Sequence, residues 1–220
     1  MNVTKTTNIS ALSDGGNRFY GDVTIDNNSV QQVRMATNTR DRYYGNVSFV
    51  CSSTGVIRPF YNDTTEVHGH LSVTSNKVEP DANNGIVRFA GNNNQTVSGN
   101  LTVKFKNPII EKTGGHVTLD TSVSVSGTLK LVSGNILTTS AHLLTMLAGS
   151  SVTGASNSSF VSGPVKKVGN TAFTFPTGKG NSYRAVEISA PSNSTDAFTA
   201  EHIHDEEQGL YGANDTTLGL

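Results

Sequence analysis

Three arginines in matching surroundings are the residues best suited to holding a ligand. Arg34 stands in Val33-Arg34-Met35, Arg58 in Ile57-Arg58-Pro59 and Arg88 in Val87-Arg88-Phe89. Each has an apolar residue before it, and two of the three have one after it. On a strand such an arginine points away from the side its neighbours bury. A row of guanidinium groups along one face can grip the carboxylate or sulfate groups of a glycan. Such arginines also serve as plain solvated cover, with their stems lying on the sheet. Like charges in adjacent repeats repel. The row therefore predicts anionic partners, either Asp63 and Glu66 nearby or an external polyanion.

His202-x-His204-Asp205 is the second constellation. Residues two apart on a strand face one side, so both imidazoles could meet one divalent cation beside the carboxylate. No other cofactor is expected. Gly178-Lys179-Gly180 lacks the spacing of a phosphate-binding loop, and no helix follows it. Cys51 is the single cysteine. It excludes a disulfide framework within the chain, and no His or Asp beside it suggests a nucleophile. A polysaccharide-cleaving site needs clustered acids. Asp22, Asp26 and Asp120 are each isolated in the sequence. The expectation is a protein that is not an enzyme.

The element that must position these residues recurs. Gly21-Asp22-Val23-Thr24-Ile25, Gly45-Asn46-Val47-Ser48-Phe49, Gly69-His70-Leu71-Ser72-Val73, Gly99-Asn100-Leu101-Thr102-Val103 and Gly127-Thr128-Leu129-Lys130-Leu131 share one pattern. Alternation at period two is a half-buried strand. Its return every 24 to 30 residues is a repeat architecture, whose copies must stack to bury their apolar faces. Val23, Val47, Leu71, Leu101 and Leu129 are expected to form one buried stack. Phe19, Tyr43, Val67, Val97 and Val125, two places before each glycine, form a second column. Tyr20, Tyr44 and His68 form an outward one. The Val33, Ile57, Val87 and Val117 segments lie midway and add a further strand per repeat. The fold class is all-β: a right-handed parallel β-solenoid followed by a small, incomplete β-rich unit. Asn- and Gly-rich stretches mark the corners, and no amphipathic helix is expected.

Ser, Thr and Asn make about a third of the 220 residues, and only 35% are hydrophobic. Regular apolar columns argue against disorder. A net charge of −1 gives no basic footprint for nucleic acid. No apolar run reaches the roughly 18 residues of a membrane span. Residues 1–159 are assigned to the solenoid. Residues 160–220 are assigned to a β unit, with a hairpin around Pro176-Thr177-Gly178-Lys179-Gly180 and a third strand from Phe198 to Ile203. Met1-Asn2-Val3-Thr4-Lys5 carries no apolar signal region. The chain reads as a piece of a longer protein.

The stretch Phe160-Val161-Ser162-Gly163-Pro164-Val165-Lys166-Lys167-Val168-Gly169, with Phe173-Thr174-Phe175-Pro176-Thr177-Gly178-Lys179-Gly180 and Tyr183-Arg184, resembles a segment of very large surface proteins of Bacteroidetes bacteria. These are adhesin-like substrates of the type IX secretion system, including gliding-motility adhesins. The resemblance spans roughly residues 127 to 200. It implies an extracellular or cell-surface location. The partners it implies are the secretion machinery, neighbouring repeats of the same protein, and extracellular glycans or surfaces. Asp63-Thr64-Thr65 and Asp215-Thr216-Thr217 resemble the O-glycosylation motif of proteins secreted by that group, which would modify Thr64 and Thr216. The expected role is a non-catalytic stalk. A polysaccharide-binding or polysaccharide-cleaving protein on the same scaffold, and a phage or viral fibre segment, are the alternatives.

Overall fold

The computed structural model describes residues 1–203. These residues wind into a parallel β-solenoid of about eight turns, with no helix among them. In each turn the chain visits three faces in the same order. The first face is a ten-stranded sheet running from Asn2–Lys5 to Ser182–Tyr183. The second is a seven-stranded sheet that includes Arg18–Phe19, Arg42–Tyr43, Thr65–Val67, Ile86–Phe89 and Asn107–Glu111. The third face comes in two pieces. A three-stranded sheet ends at Ile57–Arg58, and a five-stranded sheet starts at Val103–Phe105.

Alternation places one side of every strand in a single core. On the first face, Val23, Val47, Leu71, Val97 and Leu119 stack in register. On the second face the stack is Phe19, Tyr43, Val67, Phe89, Ile110 and Leu131. Phe19 and Tyr43 lie ring on ring at 4.8 Å, the spacing of neighbouring strands. On the third face, Phe105, Val125 and Met146 stack in order, and Lys167 takes the next place.

Two expected columns need correction. Val23, Val47 and Leu71 stack as expected, but Leu101 is 52% exposed and Leu129 belongs to the second face. Likewise Phe19, Tyr43 and Val67 hold their column, but Val97 lies on the first face and Val125 on the third. The slip begins at the fourth glycine. Gln95, not Gly99, stands level with Gly69, because Val97 pairs with Leu71. Gln95-Thr96-Val97-Ser98 alternates as well as Gly99-Asn100-Leu101-Thr102 does, and only one of them fits the inward row. The Lys106 to Gly115 stretch carries the strand Asn107–Glu111.

Side chains fasten one turn to the next at the corners. The Asn46 N–H donates to Asp22 Oδ1 at 2.8 Å, the His70 N–H to Asn46 Oδ1 at 2.8 Å and the Thr96 N–H to His70 Nδ1 at 3.0 Å. At another corner, Asn62 Nδ2 donates to the Thr37 carbonyl, Asn84 Nδ2 to Asn62 Oδ1 and Asn107 Nδ2 to the Asn84 carbonyl. The glycines of the first corner are needed for close approach. A Cβ on Gly69 would lie 2.4 Å from the Gly45 carbonyl oxygen.

Parallel stacking runs past residue 159. Val161–Ser162 continues the first face and pairs parallel with Thr177–Lys179. The antiparallel pairings follow. Thr177–Lys179 turns back onto Ser182–Tyr183, and Phe173–Phe175 pairs with Val186–Ile188, which makes the expected hairpin. Ala197–Ala200 lies antiparallel on Val165–Val168.

Candidate ligand surface

The structure divides the three arginines. Arg34 and Arg58 are direct neighbours on the third face. Arg88 is on the second face, level with Glu66 and Ile109. The reason is the side chain that follows each. Phe89 seats on Val67 in the core of the second face, which carries Arg88 there.

The charge problem of a bare arginine row is solved within the chain. Arg58 Nε donates to Glu79 at 2.8 Å, and Arg58 Nη1 donates to Gln32 Oε1 at 2.6 Å. Arg34 Nε donates to the same Gln32 oxygen at 3.1 Å, with its guanidinium over the Tyr61 ring at 4.8 Å. Arg88 bridges Glu66 and Glu111, the second at 2.9 Å. Of the two acids expected beside the row, Glu66 is a partner; Asp63 makes no ion pair among the described residues.

Glu66 is the hub of this network. It is buried, and it accepts from Arg40, Arg42 and Arg88, with the Arg42 bond at 3.1 Å. His68 Nε2 lies 3.5 Å from it, too poorly aligned for a hydrogen bond. Burial pushes the Glu66 carboxyl up, but Arg88, Arg40 and Arg42 outweigh burial and hold it at about 2. A depressed carboxyl stabilises the fold above its unfolded value near 4.5, and the contribution is lost as pH falls towards 2. Breaking such a pair strands its cations. These arginines are about a quarter to a third exposed, so solvent screening reduces the cost. Glu66→Gln is expected to cost about 2 kcal/mol at neutral pH. Chemical denaturation at pH 7 and at pH 2.5 tests this: the gap between the two proteins should shrink at the lower pH. A gap that stays constant would remove ionisation of Glu66 as its cause.

Beside this hub runs an outward aromatic column. Tyr20 and Tyr44 stack at 5.1 Å with rings 7° apart, and His68 follows at 4.9 Å. Tyr20 is 74% exposed and Tyr44 is 39% exposed. Arg18, in register with Arg42, is exposed and has no anionic partner among the described residues. This corner therefore combines an unpaired guanidinium with aromatic edges and faces. That combination can meet an anionic, ring-bearing ligand. The Tyr20–Tyr44–His68 column was legible from their shared position after each strand. Arg18, Arg40 and Arg42 were not, because no local motif marks them; Glu66 was expected as a partner of Arg88's row but not of Arg40 and Arg42.

The other expected sites fall as follows. His202 is described, but His204 and Asp205 lie outside the described residues. Among the described residues no group of three His, Cys, Asp or Glu is placed to hold a metal. Thr64 is half-buried, and its N–H donates to Asp63 Oδ1; Thr216 lies outside the described residues. Cys51 is free and half-buried, and burial pushes its thiol up to about 11. A thiol held protonated at neutral pH is a poor nucleophile.

Two buried lysines carry no sequence signal. Lys112 Nζ donates to Gln95 Oε1 at 2.6 Å. Gln95 Nε2 in turn donates to the Val67 and Gly69 carbonyls at 2.8 Å each. Lys167 Nζ donates to the Leu147 carbonyl at 2.9 Å and lies 5.0 Å from the Phe173 ring centre. Both ammonium groups close carbonyls at turns of the coil.

No known protein family, curated protein or solved structure matches the chain. Among the described residues, no helix is long and apolar enough to cross a membrane.

Proposed function

We propose that the chain is a non-catalytic rod segment of a large exported bacterial protein, and that it serves adhesion as a stalk. The observation that carries this reading is the parallel ladder of the first face, unbroken from Asn2–Lys5 to Thr177–Lys179, over a single continuous core. Each turn adds hydrogen bonds and apolar contact to the turn before it, so stiffness grows along one axis. Pulling single molecules by their two ends tests the rod. Stepwise release of turns under load is the expected record. Release of the whole chain in one event at low force would count against a load-bearing role. Incubation with acidic and neutral polysaccharides tests the absence of catalysis. No new reducing or unsaturated ends are expected. Turnover that disappears on replacing one or two acids would overturn the reading.

A second reading, polysaccharide binding, is favoured by one observation: the exposed Tyr20 and Tyr44 rings beside the unpaired Arg18. The arginines at 34, 58 and 88 are engaged by internal partners, so the anionic glycan would be held chiefly at this corner. Retention on a heparin column should weaken with salt. It should fall further in Arg18→Ala/Tyr20→Ala than in Arg34→Ala/Arg58→Ala. The opposite order would return the site to the third face.

A further inference from the structure

The third face is interrupted, and the interruption leaves a groove between two strands that do not pair with each other. The three-stranded sheet stops at Ile57–Arg58 and is extended only by a bridge from Ile57 to Val78. The five-stranded sheet begins at Val103–Phe105, which is its edge strand. Between them lies a groove of about 570 Å³. It is lined by the buried Val73, Val78 and Val103 and, in equal measure, by polar residues such as Ser75, Asn76 and Thr102. Leu101, half exposed, stands at its rim.

The two walls differ in what they offer. Pro80, on the first wall, has no N–H to give. On the second wall, the Val103 N–H donates to the Ser122 carbonyl, and the Phe105 carbonyl accepts from Ser126. Both bonds run away from the groove. Alternate residues of a parallel strand address opposite neighbours. The Lys104 N–H and C=O are therefore left directed into the groove. Charge is also uncommitted there. Asp81 on one wall and the Lys104 side chain on the other have no ion pair among the described residues.

We propose that this groove binds an extended peptide segment of a partner protein, which adds as a strand to the free edge at Lys104. Strand addition supplies main-chain hydrogen bonds, and alternate side chains supply specificity. An apolar side chain of the peptide enters between Val78 and Val103. Its neighbours on either side point outward, a basic one towards Asp81 and an acidic one towards the Lys104 ammonium. The complementary charges and the one-sided edge favour a peptide over a glycan, which offers no N–H and C=O ladder. The inference goes beyond the rod reading and does not depend on it.

The test uses the whole chain and an array of synthetic hexapeptides. The peptides alternate Val or Ile with Lys, Thr or Glu, and each has a control carrying proline at its centre. Alternating peptides with both charges should bind, and their proline controls should not. Binding should slow exchange of the Lys104 amide hydrogen. Lys104→Pro removes the unused donor and should weaken binding at least tenfold with an unchanged melting midpoint. Asp81→Lys is the second variant and needs no backbone change. It should select against basic peptides and towards acidic ones. Binding that is equal for proline controls, or unaffected in both variants, would overturn the proposal, as would an array with no binder. If oligosaccharides or a second copy of the chain protected Lys104 and the peptides did not, that too would overturn it.

Discussion

Leu71→Asp should prevent the coil from folding, whereas Leu101→Asp should melt within about two degrees of the unaltered protein. Leu71 is fully buried and stacks between Val47 and Val97. A carboxylate there would have no partner, which costs several kcal/mol, and the lost leucine contacts add about 2 to 5 more. A domain with about 5 to 15 kcal/mol of total stability does not absorb that. Leu101 is half exposed at the rim of the groove. Surface substitutions of this kind usually fall within about 0.5 kcal/mol. Circular dichroism melts of the two variants decide between registers. If both collapsed, the glycine-led pattern would be the true register and the pairing of Val97 with Leu71 would be wrong.

The second large effect is a rise in stability with alkaline pH. Burial pushes the Lys112 ammonium from 10.5 down to about 8. Between those values the unfolded chain holds more protons than the folded one, so stability rises with pH. Below about 8 the ammonium is charged in both states and its burial cost is fully present. The shift corresponds to about 3 kcal/mol across the window. Burial lowers Lys167 too, so it acts in the same direction. Cys51 opposes them: its thiol rises from 9.0 to about 11, which erodes stability as pH passes 9. Comparison with Lys112→Met isolates the lysine. Urea unfolding of the two proteins from pH 7 to 10 should show wild type gaining on the variant, most steeply between the folded and unfolded values, at about pH 9 to 9.5. Parallel curves would mean that the Gln95 carbonyl holds the ammonium charged throughout.

The first three turns were the most legible part of the sequence. Their strands repeat at identical spacing, and the corner residues Asp22, Asn46 and His70 keep the same place each time. Legibility failed where two alternating segments competed for one inward row. Gln95 to Ser98 and Gly99 to Thr102 both satisfy period two, and only packing against Leu71 chooses between them. The misplacement of Arg88 has the same origin, since Val87-Arg88-Phe89 repeats Val33-Arg34-Met35 locally but seats on Val67. The Glu66 hub was half visible, as an acid near arginines. Its burial among three of them depends on register between turns, which no local pattern encodes. The groove was invisible, because it is made by the absence of pairing between two turns.

The lysine at the end of the Phe105, Val125 and Met146 column has one more consequence. An all-apolar column is open-ended: any further rung, from this chain or another molecule, can lie on it and extend it. Lys167 takes the next inward place with its ammonium committed to the Leu147 and Ser150 carbonyls. The strand laid against it, Ala197–Ala200, runs the opposite way. A chain arriving in the parallel sense finds this position both charged and occupied. The lysine thus acts as a terminator of growth, giving this face a defined length and shielding it from the edge-on stacking by which parallel β-coils turn into fibrils.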